Sequence, residues 1–237
     1  MSAESQADKL DRKGRRNEFR RKSILMAARD LFVEHAFDEL TIESIAEAAA
    51  VSKATLYQYF NNKADIYDAI LMSDVAELVD GLEKSWSADS RFSTNLRRMT
   101  YFYVSFFVRH QEYFTNLSFF YLPGRHIPLP PATMTQVRAQ LSRAIAAISA
   151  CIESAIAKGE IQTDDPTTTS MSIYSVWEGV AWAHATGRCT QFDRDVYDVT
   201  MRGIDLISAG LRLPTIVQGQ AMPAEGDGDS SAEFRKV

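Results

Sequence analysis

The run TIESIAEAAAVSKATLYQYF, residues 41–60, decides how this chain folds. Thr41 can accept a hydrogen bond from the amide of residue 43 or 44, and behind it Ile42, Ile45, Ala46 and Ala49 recur at three- and four-residue spacing. That predicts a short helix with Thr41 as its N-cap. Ser52 repeats the arrangement ahead of Lys53, with Leu56 and Phe60 sharing the inward side of a second short helix over residues 53–59. Only Ala50 to Ser52 separate the two. Two one-sided helices across so tight a turn form the layout in which the second helix can lie in a DNA major groove.

Working outward, a helix is expected from Arg20 to about His35 or Ala36, because Ile24, Leu25, Ala28, Leu31 and Phe32 form one stripe. Residues 1–19 hold too few apolar groups to offset the entropy of ordering and read as a flexible basic arm. Downstream, Asn61 and Asn62 break the pattern, and a longer helix begins near Lys63 with Ile66, Ile70, Val75 and Leu78. The formal net charge of -5 is unevenly spread: residues 1–63 carry 11 Lys/Arg against 10 Asp/Glu, and residues 64–237 carry 15 against 21. The acidity lies in the back of the chain. The densest basic cluster runs from Lys9 to Lys22, where local positive potential would suit a phosphate backbone.

Chemistry assigns tasks within 41–63. Lys53 can donate to guanine O6 or N7, Gln58 can pair with adenine through two bonds, and the Thr55 methyl can meet a thymine methyl. Tyr57, Tyr59 and Thr41 offer hydroxyls suited to phosphate oxygens, which fix register without reading sequence. Lys63, at the start of a helix, opposes the helix dipole unless an anion lies nearby, and a phosphate would supply one. On pattern alone these residues also suit an ordinary polar surface, so binding and plain-surface readings both stand at this point.

The rest of the chain is helical in pattern. Ten of the 25 aromatic residues lie between Tyr101 and Tyr121, and two helices divided near 109–111 are expected over 92–121, followed by a proline-rich loop to Pro131. Further helices are expected over about 133–158, closed by Gly159, over 167–186, and over 192–211. Residues 214–237 are polar and glycine-rich and read as a disordered tail. The fold class is therefore all-α, with about nine helices: an arm over 1–19, a DNA-binding head over 20–66, a larger body over 67–213, and the tail.

Tyr101, Tyr103, Phe106, His110, Phe114, Tyr121 and Trp177 bring hydrogen-bonding heads into an apolar neighbourhood and could line a site for a small hydrophobic or aromatic effector. They could equally be plain core. Small residues beside large ones, as in Gly179, Ala181, Ala183 and Ala185 next to Trp177 and Trp182, suit close helix packing, within the chain or across a dimer. Cys151 and Cys189 stand alone in sequence and read as buried free thiols, and no His lies three or four residues from another. No cofactor or metal is called for, and no Gly-x-Ser-x-Gly or phosphate-binding glycine loop supports catalysis. No run could serve as a signal peptide or about 18 apolar residues as a membrane span, so a cytoplasmic protein without membrane contact is expected.

Residues 24–32 (ILMAARDLF), Phe37, Thr41-Ile42, Ile45-Ala46, the run from Ala49 to Phe60, and Lys63 together strongly resemble the N-terminal domain of TetR-family transcriptional regulators. The resemblance covers roughly residues 20–70. It implies a homodimer whose two recognition helices read an inverted repeat in double-stranded DNA, and an effector pocket in each body; a repressor released by its effector is the expected mode. It assigns Thr41, Thr55, Tyr57, Tyr59 and Lys63 to backbone contacts, and Lys53 and Gln58 to base reading. Ala36, Ala50 and Ala54 depart from it, standing where the family usually or often has Gly. A positive φ at Ala50 would cost roughly 1 to 2 kcal/mol. A dimeric DNA-binding regulator with no effector is the alternative, and a helical enzyme or interaction module a distant third.

Overall fold

The structure is a computed structural model that describes residues 3–35, 37–110 and 130–211. Phe114, Tyr121, Ala36 and the stretch 214–237 lie outside the described residues. Among those described, every regular element is helical, as the sequence pattern requires. The order is α1 (Ala3–Glu34), a 3₁₀ turn (Phe37–Glu39), α2 (Ile42–Ala48), α3 (Lys53–Leu56), α4 (Lys63–Lys84), α5 (Phe92–Arg109), α6 (Pro131–Ala157), α7 (Pro166–Ala185), α8 (Arg188–Gln191) and α9 (Val196–Gly210).

Thr41 caps α2 through a reciprocal pair: its hydroxyl accepts from the Ser44 amide at 3.1 Å, and Ser44 Oγ accepts from the Thr41 amide at 3.1 Å. Ser52 caps α3 and Asn62 caps α4 in the same manner, each accepting from an amide of the first turn. Between α2 and α3, Ala50 adopts φ 51°, the left-handed conformation anticipated for it. Gly159 (φ 68°) closes α6, with the Glu160 amide donating back to the Ala155 carbonyl at 3.0 Å.

The stretch expected as a flexible arm is instead the first half of α1. Its residues are mostly good helix formers, and extending a helix that is already nucleated by packing at Ile24 and Ala28 avoids the cost of a new nucleus. With 32 residues, α1 is about 48 Å long at 1.5 Å per residue. The short α8 is a further difference from expectation, because four residues leave no periodic signal.

Two cores meet on one helix. Ile24 and Ala28 of α1, Ile45 and Ala46 of α2, and Leu56 and Phe60 enclose Ile66 and Ile70 of α4 in the head. The following turns of α4 place Leu71, Val75, Leu78, Val79 and Leu82 in the core of the body. There α4 packs along α6, α6 along α7, and α9 against both α5 and α7. Gly81 allows α5 close to α4: the ring of Phe102 occupies the space of the missing side chain, 1.8 Å from where a Cβ would stand. Cys151 and Cys189 are buried and free, and burial pushes the Cys151 thiol up to about 12.

At the join, Arg29 of α1 grips Asp74 of α4 with both ends of its guanidinium, Nη1 donating to Oδ2 at 3.0 Å and Nη2 to Oδ1. The same Nη1 lies 3.1 Å from His110 Nδ1 at the end of α5, and His110 Nε2 lies 3.7 Å from Glu77 of α4. A guanidinium can only donate, so Nδ1 accepts and the imidazole presents Nε2–H to Glu77. The Asp74 side chain is only 2% exposed, which makes this pair costly to break from one side.

Asp74→Asn should therefore lower the unfolding free energy by about 3 kcal/mol, because the Arg29 guanidinium loses the carboxylate charge it faces; equal urea midpoints for the two proteins would contradict that role. Ala50→Gly should raise stability by about 1 kcal/mol through relief of the left-handed strain, less the entropy that glycine gives up. A thermal midpoint at or below that of the parent would show that the turn is not strained.

Candidate nucleic-acid interface

The tight turn from Ala49 to Ser52 aims α3 outward from the head core. Only Leu56 of the helix itself is buried, and Phe60 just beyond it closes the inward side. The α-helix is shorter than the 53–59 expected, ending at Leu56. Winding nonetheless continues, since the amides of Tyr57, Gln58, Tyr59 and Phe60 bond back to Lys53, Thr55, Leu56 and Leu56 in turn. The tighter 3₁₀-type bonds occur where the helix leaves its apolar support.

On the outer side the structure brings together Lys53, Tyr57 and Gln58, all exposed, with Thr55 and Tyr59 half-buried behind them. Thr41 is exposed at the start of α2. Its oxygen already accepts the Ser44 amide, so what it retains for a partner is its O–H. Thr55 Oγ1 lies 2.8 Å from Ser52 Oγ, which fixes its rotamer and leaves the methyl as its adaptable part.

Three placements have no counterpart in the sequence pattern. Lys53 is paired with Glu43 of α2, ten residues away, and the contact lowers the carboxyl pKa of Glu43 and raises the ammonium pKa of Lys53. Helical periodicity relates residues within one helix, so a pair that crosses the turn gives no signal. Tyr59 O–H points to Asn17 Oδ1 at 3.4 Å, in the part of α1 expected as an arm. The Arg21 guanidinium sits 5.3 Å from the Phe60 ring centroid, joining the basic face of α1 to the end of the α3 segment.

Lys63 shows the largest difference from expectation. Its ammonium donates to the Leu40 carbonyl at 2.7 Å and to the Phe37 carbonyl, and it lies 4.3 Å from the Phe37 ring centroid. Its unfavourable place at a helix N-terminus is thus offset by two carbonyl oxygens of the chain itself. Lys63 ties the 3₁₀ turn and the start of α2 to α4, and so positions Thr41.

Of the residues expected to line a site in the body, Phe114 and Tyr121 lie outside the described residues, and the other five are differently placed. Tyr103, Phe106 and Trp177 are 1%, 0% and 1% exposed and form the centre of the body core. Tyr103 stacks on Trp177 with centroids 5.1 Å apart, and Trp177 Nε1–H donates to Thr100 Oγ1 at 3.0 Å. Tyr101 is 59% exposed and turns outward beside Tyr197, while His110 belongs to the head–body join. A groove of about 860 Å³ runs between α6 and α7. Among the described residues no group of His, Cys, Asp or Glu could hold a metal, and no helix is long and apolar enough to cross a membrane.

The role found for Lys63 can be separated from phosphate binding. Lys63→Met should destabilise the DNA-free protein by about 1 to 3 kcal/mol, since two carbonyls lose their donor; unchanged stability with weakened DNA binding alone would return Lys63 to the phosphates.

Residues 24–70 match the family model described as bacterial regulatory proteins, tetR family. The head is 51% identical over 51 residues to the uncharacterized HTH-type transcriptional regulator YdeS of Bacillus subtilis, spanning 22% of this chain and 26% of that protein. It is 38% identical over 66 residues to the HTH-type transcriptional activator FasR of Mycolicibacterium smegmatis, spanning 28% of this chain and 30% of FasR. The matched segments thus cover less than a third of these relatives. The fold extends further: the TetR family regulator PfmR of Thermus thermophilus superposes with a TM-score of 0.64 at 22% identity, over 80% of this chain and 99% of that one. Residues 24–70 are thus similar in sequence to the N-terminal domain of the tetR family of bacterial regulatory proteins, and the fold as a whole is similar to that of a TetR family regulator.

Proposed function

We propose that the protein is a homodimeric transcriptional regulator that binds an inverted-repeat operator through α3 and is released from it by a small effector bound in the body. The observation that carries the DNA-binding part is the outward presentation of Lys53, Tyr57 and Gln58 on a turn whose inward side is fully packed. Gln58 is the base reader that carries no charge to be paired. Lys53 must exchange Glu43 for guanine, so its contribution is a difference between two partners, and Glu43 acts as a brake on non-specific phosphate attraction. The basic side chains of α1 from Arg12 to Lys22 are mostly exposed and suit the DNA backbone.

Dimerisation is supported by apolar side chains left uncovered on α7 and α9, among them Met171 and Leu206, and by exposed Gly179, where an added methyl group would meet open space. An effector in the body would act by favouring a separation of the two heads that no longer fits half-sites about 34 to 36 Å apart. The Arg29–Asp74–His110 contact gives that motion a rigid route from body to head. Repression is the mode this release implies, in a protein that works in the cytoplasm on its DNA.

The test is selection of bound genomic fragments by the purified protein, followed by footprinting at two salt concentrations. A short inverted repeat with steep salt dependence is expected. On that site Tyr57→Phe should weaken all sequences about equally, whereas Gln58→Ala should cost about 1 to 3 kcal/mol and relax preference at one base pair per half-site. Unaltered preference in Gln58→Ala would remove it from base reading, and no enrichment of any fragment at low salt would refute the DNA-binding reading.

A further inference from the structure

Glu43 lies in the first turn of α2 and pairs with Lys53, the first residue of α3, across the turn at Ala50. The two side chains are 60% and 52% exposed, and Lys53 Nζ stands 5.9 Å from the ring centroid of Tyr57, which sets the pair beside the outward residues of the α3 segment. The fold has little need of it. An exposed ion pair holds a structure weakly, and α2 is already secured by the reciprocal cap of Thr41 and Ser44.

A carboxylate that meets DNA is repelled by the phosphates unless a donor faces it. In the mode of binding proposed above, Lys53 leaves Glu43 for a guanine, and Glu43 then loses its cation where negative charge is densest. Glu47, exposed one turn further along α2, adds to that charge. Guanine presents only acceptors in the major groove, O6 and N7, whereas cytosine presents a lone donor, its N4 amino group. Adenine N6 stands beside an acceptor of its own, N7, and thymine O4 is itself an acceptor, so neither suits a carboxylate as well. Because the two side chains touch in the free protein, the groups they reach lie within one base-pair step, a rise of about 3.4 Å.

We propose that Glu43 is a specificity-determining residue that accepts the N4–H of a cytosine in the same base pair as the guanine taken by Lys53, or in the adjoining one. One ion pair in the free protein thus opens into two base readers on the operator. This role rests on the DNA-binding reading above and adds to it a base contact from α2. Charge and hydrogen bond act differently here. The negative charge weakens binding to DNA of any sequence, and the hydrogen bond favours one base.

The operator recovered by fragment selection is synthesised with modified bases, and its binding to the full-length protein is followed by fluorescence anisotropy. N4-methylcytosine puts a methyl group in place of the groove-facing N4–H and still pairs with guanine. At one cytosine per half-site it should weaken the parent protein roughly fivefold or more, the loss of a hydrogen bond to a charged group, and leave Glu43→Ala unaffected. In the same step 7-deazaguanine, which lacks N7, should weaken the parent and leave Lys53→Met unaffected. Repeated selection with Glu43→Ala should relax that cytosine position and keep the others. Glu43→Gln retains an acceptor without the charge, so it should keep the cytosine preference while binding arbitrary DNA more tightly than the parent. A lower thermal midpoint in Glu43→Ala with unchanged base preference would leave Glu43 a structural role alone and overturn the assignment. So would an N4-methyl effect of equal size in Glu43→Ala and the parent, or a relaxed position more than one step from the guanine that Lys53→Met identifies. In each of these cases operator binding by the parent keeps the DNA-binding reading standing, whereas a parent that enriches no fragment refutes that reading and the role of Glu43 with it.

Discussion

The interaction on which the rest of the molecule depends is the sharing of α4 between two cores. Ile66 and Ile70 are held by the head, and Leu71 through Leu82 by the body, on one uninterrupted helix. A helix packed at both ends moves as a rod, because close-packed interiors do not yield continuously. Any change in how the body grips α4 is therefore delivered to the head as a rotation or shift of its last helix. The Arg29–Asp74 pair sits where the two cores meet, so that α1 and α4 turn together. Placing His110 on the same guanidinium brings the end of α5 into that arrangement.

This arrangement explains why the outer side of the head, around α3, can be so lightly built. Only two residues of the α3 segment, Leu56 and Phe60, are buried, yet they suffice because α1, α2 and α4 already enclose them. Orientation is set by the caps and by the left-handed Ala50, and by Lys63, which binds the 3₁₀ turn to α4. The base reading proposed for Gln58 and Lys53 would require them to exchange partners, and a fixed backbone with Gln58 exposed and Lys53 in a surface pair is compatible with that.

Legibility in the sequence follows the range of each interaction. The caps Thr41 and Ser52 are readable because capping is set by residues within three or four positions, whereas the left-handed turn at Ala50 is legible only through the family resemblance. Helix extents from α4 to α9 are readable, the short α8 apart, because apolar periodicity persists through each long element. The ion pair of Lys53 with Glu43 and the carbonyl contacts of Lys63 are not, since they join elements whose relative placement no local pattern specifies. The helical start of α1 escapes the pattern for a related reason: low apolar content argues against an independent element, but not against the continuation of a packed one.

The body shows the same limit from the opposite side. Aromatic density draws attention to Tyr103, Phe106 and Trp177, and large flat side chains there fill space: they stack on one another, and Trp177 satisfies its polar head on Thr100. Among the described residues a groove remains where side chains are small, at Ala146, Ala150, Ser149 and Ser175 between α6 and α7. Aromatic density among the described residues therefore locates packed core, because large flat side chains fill the volume they bring.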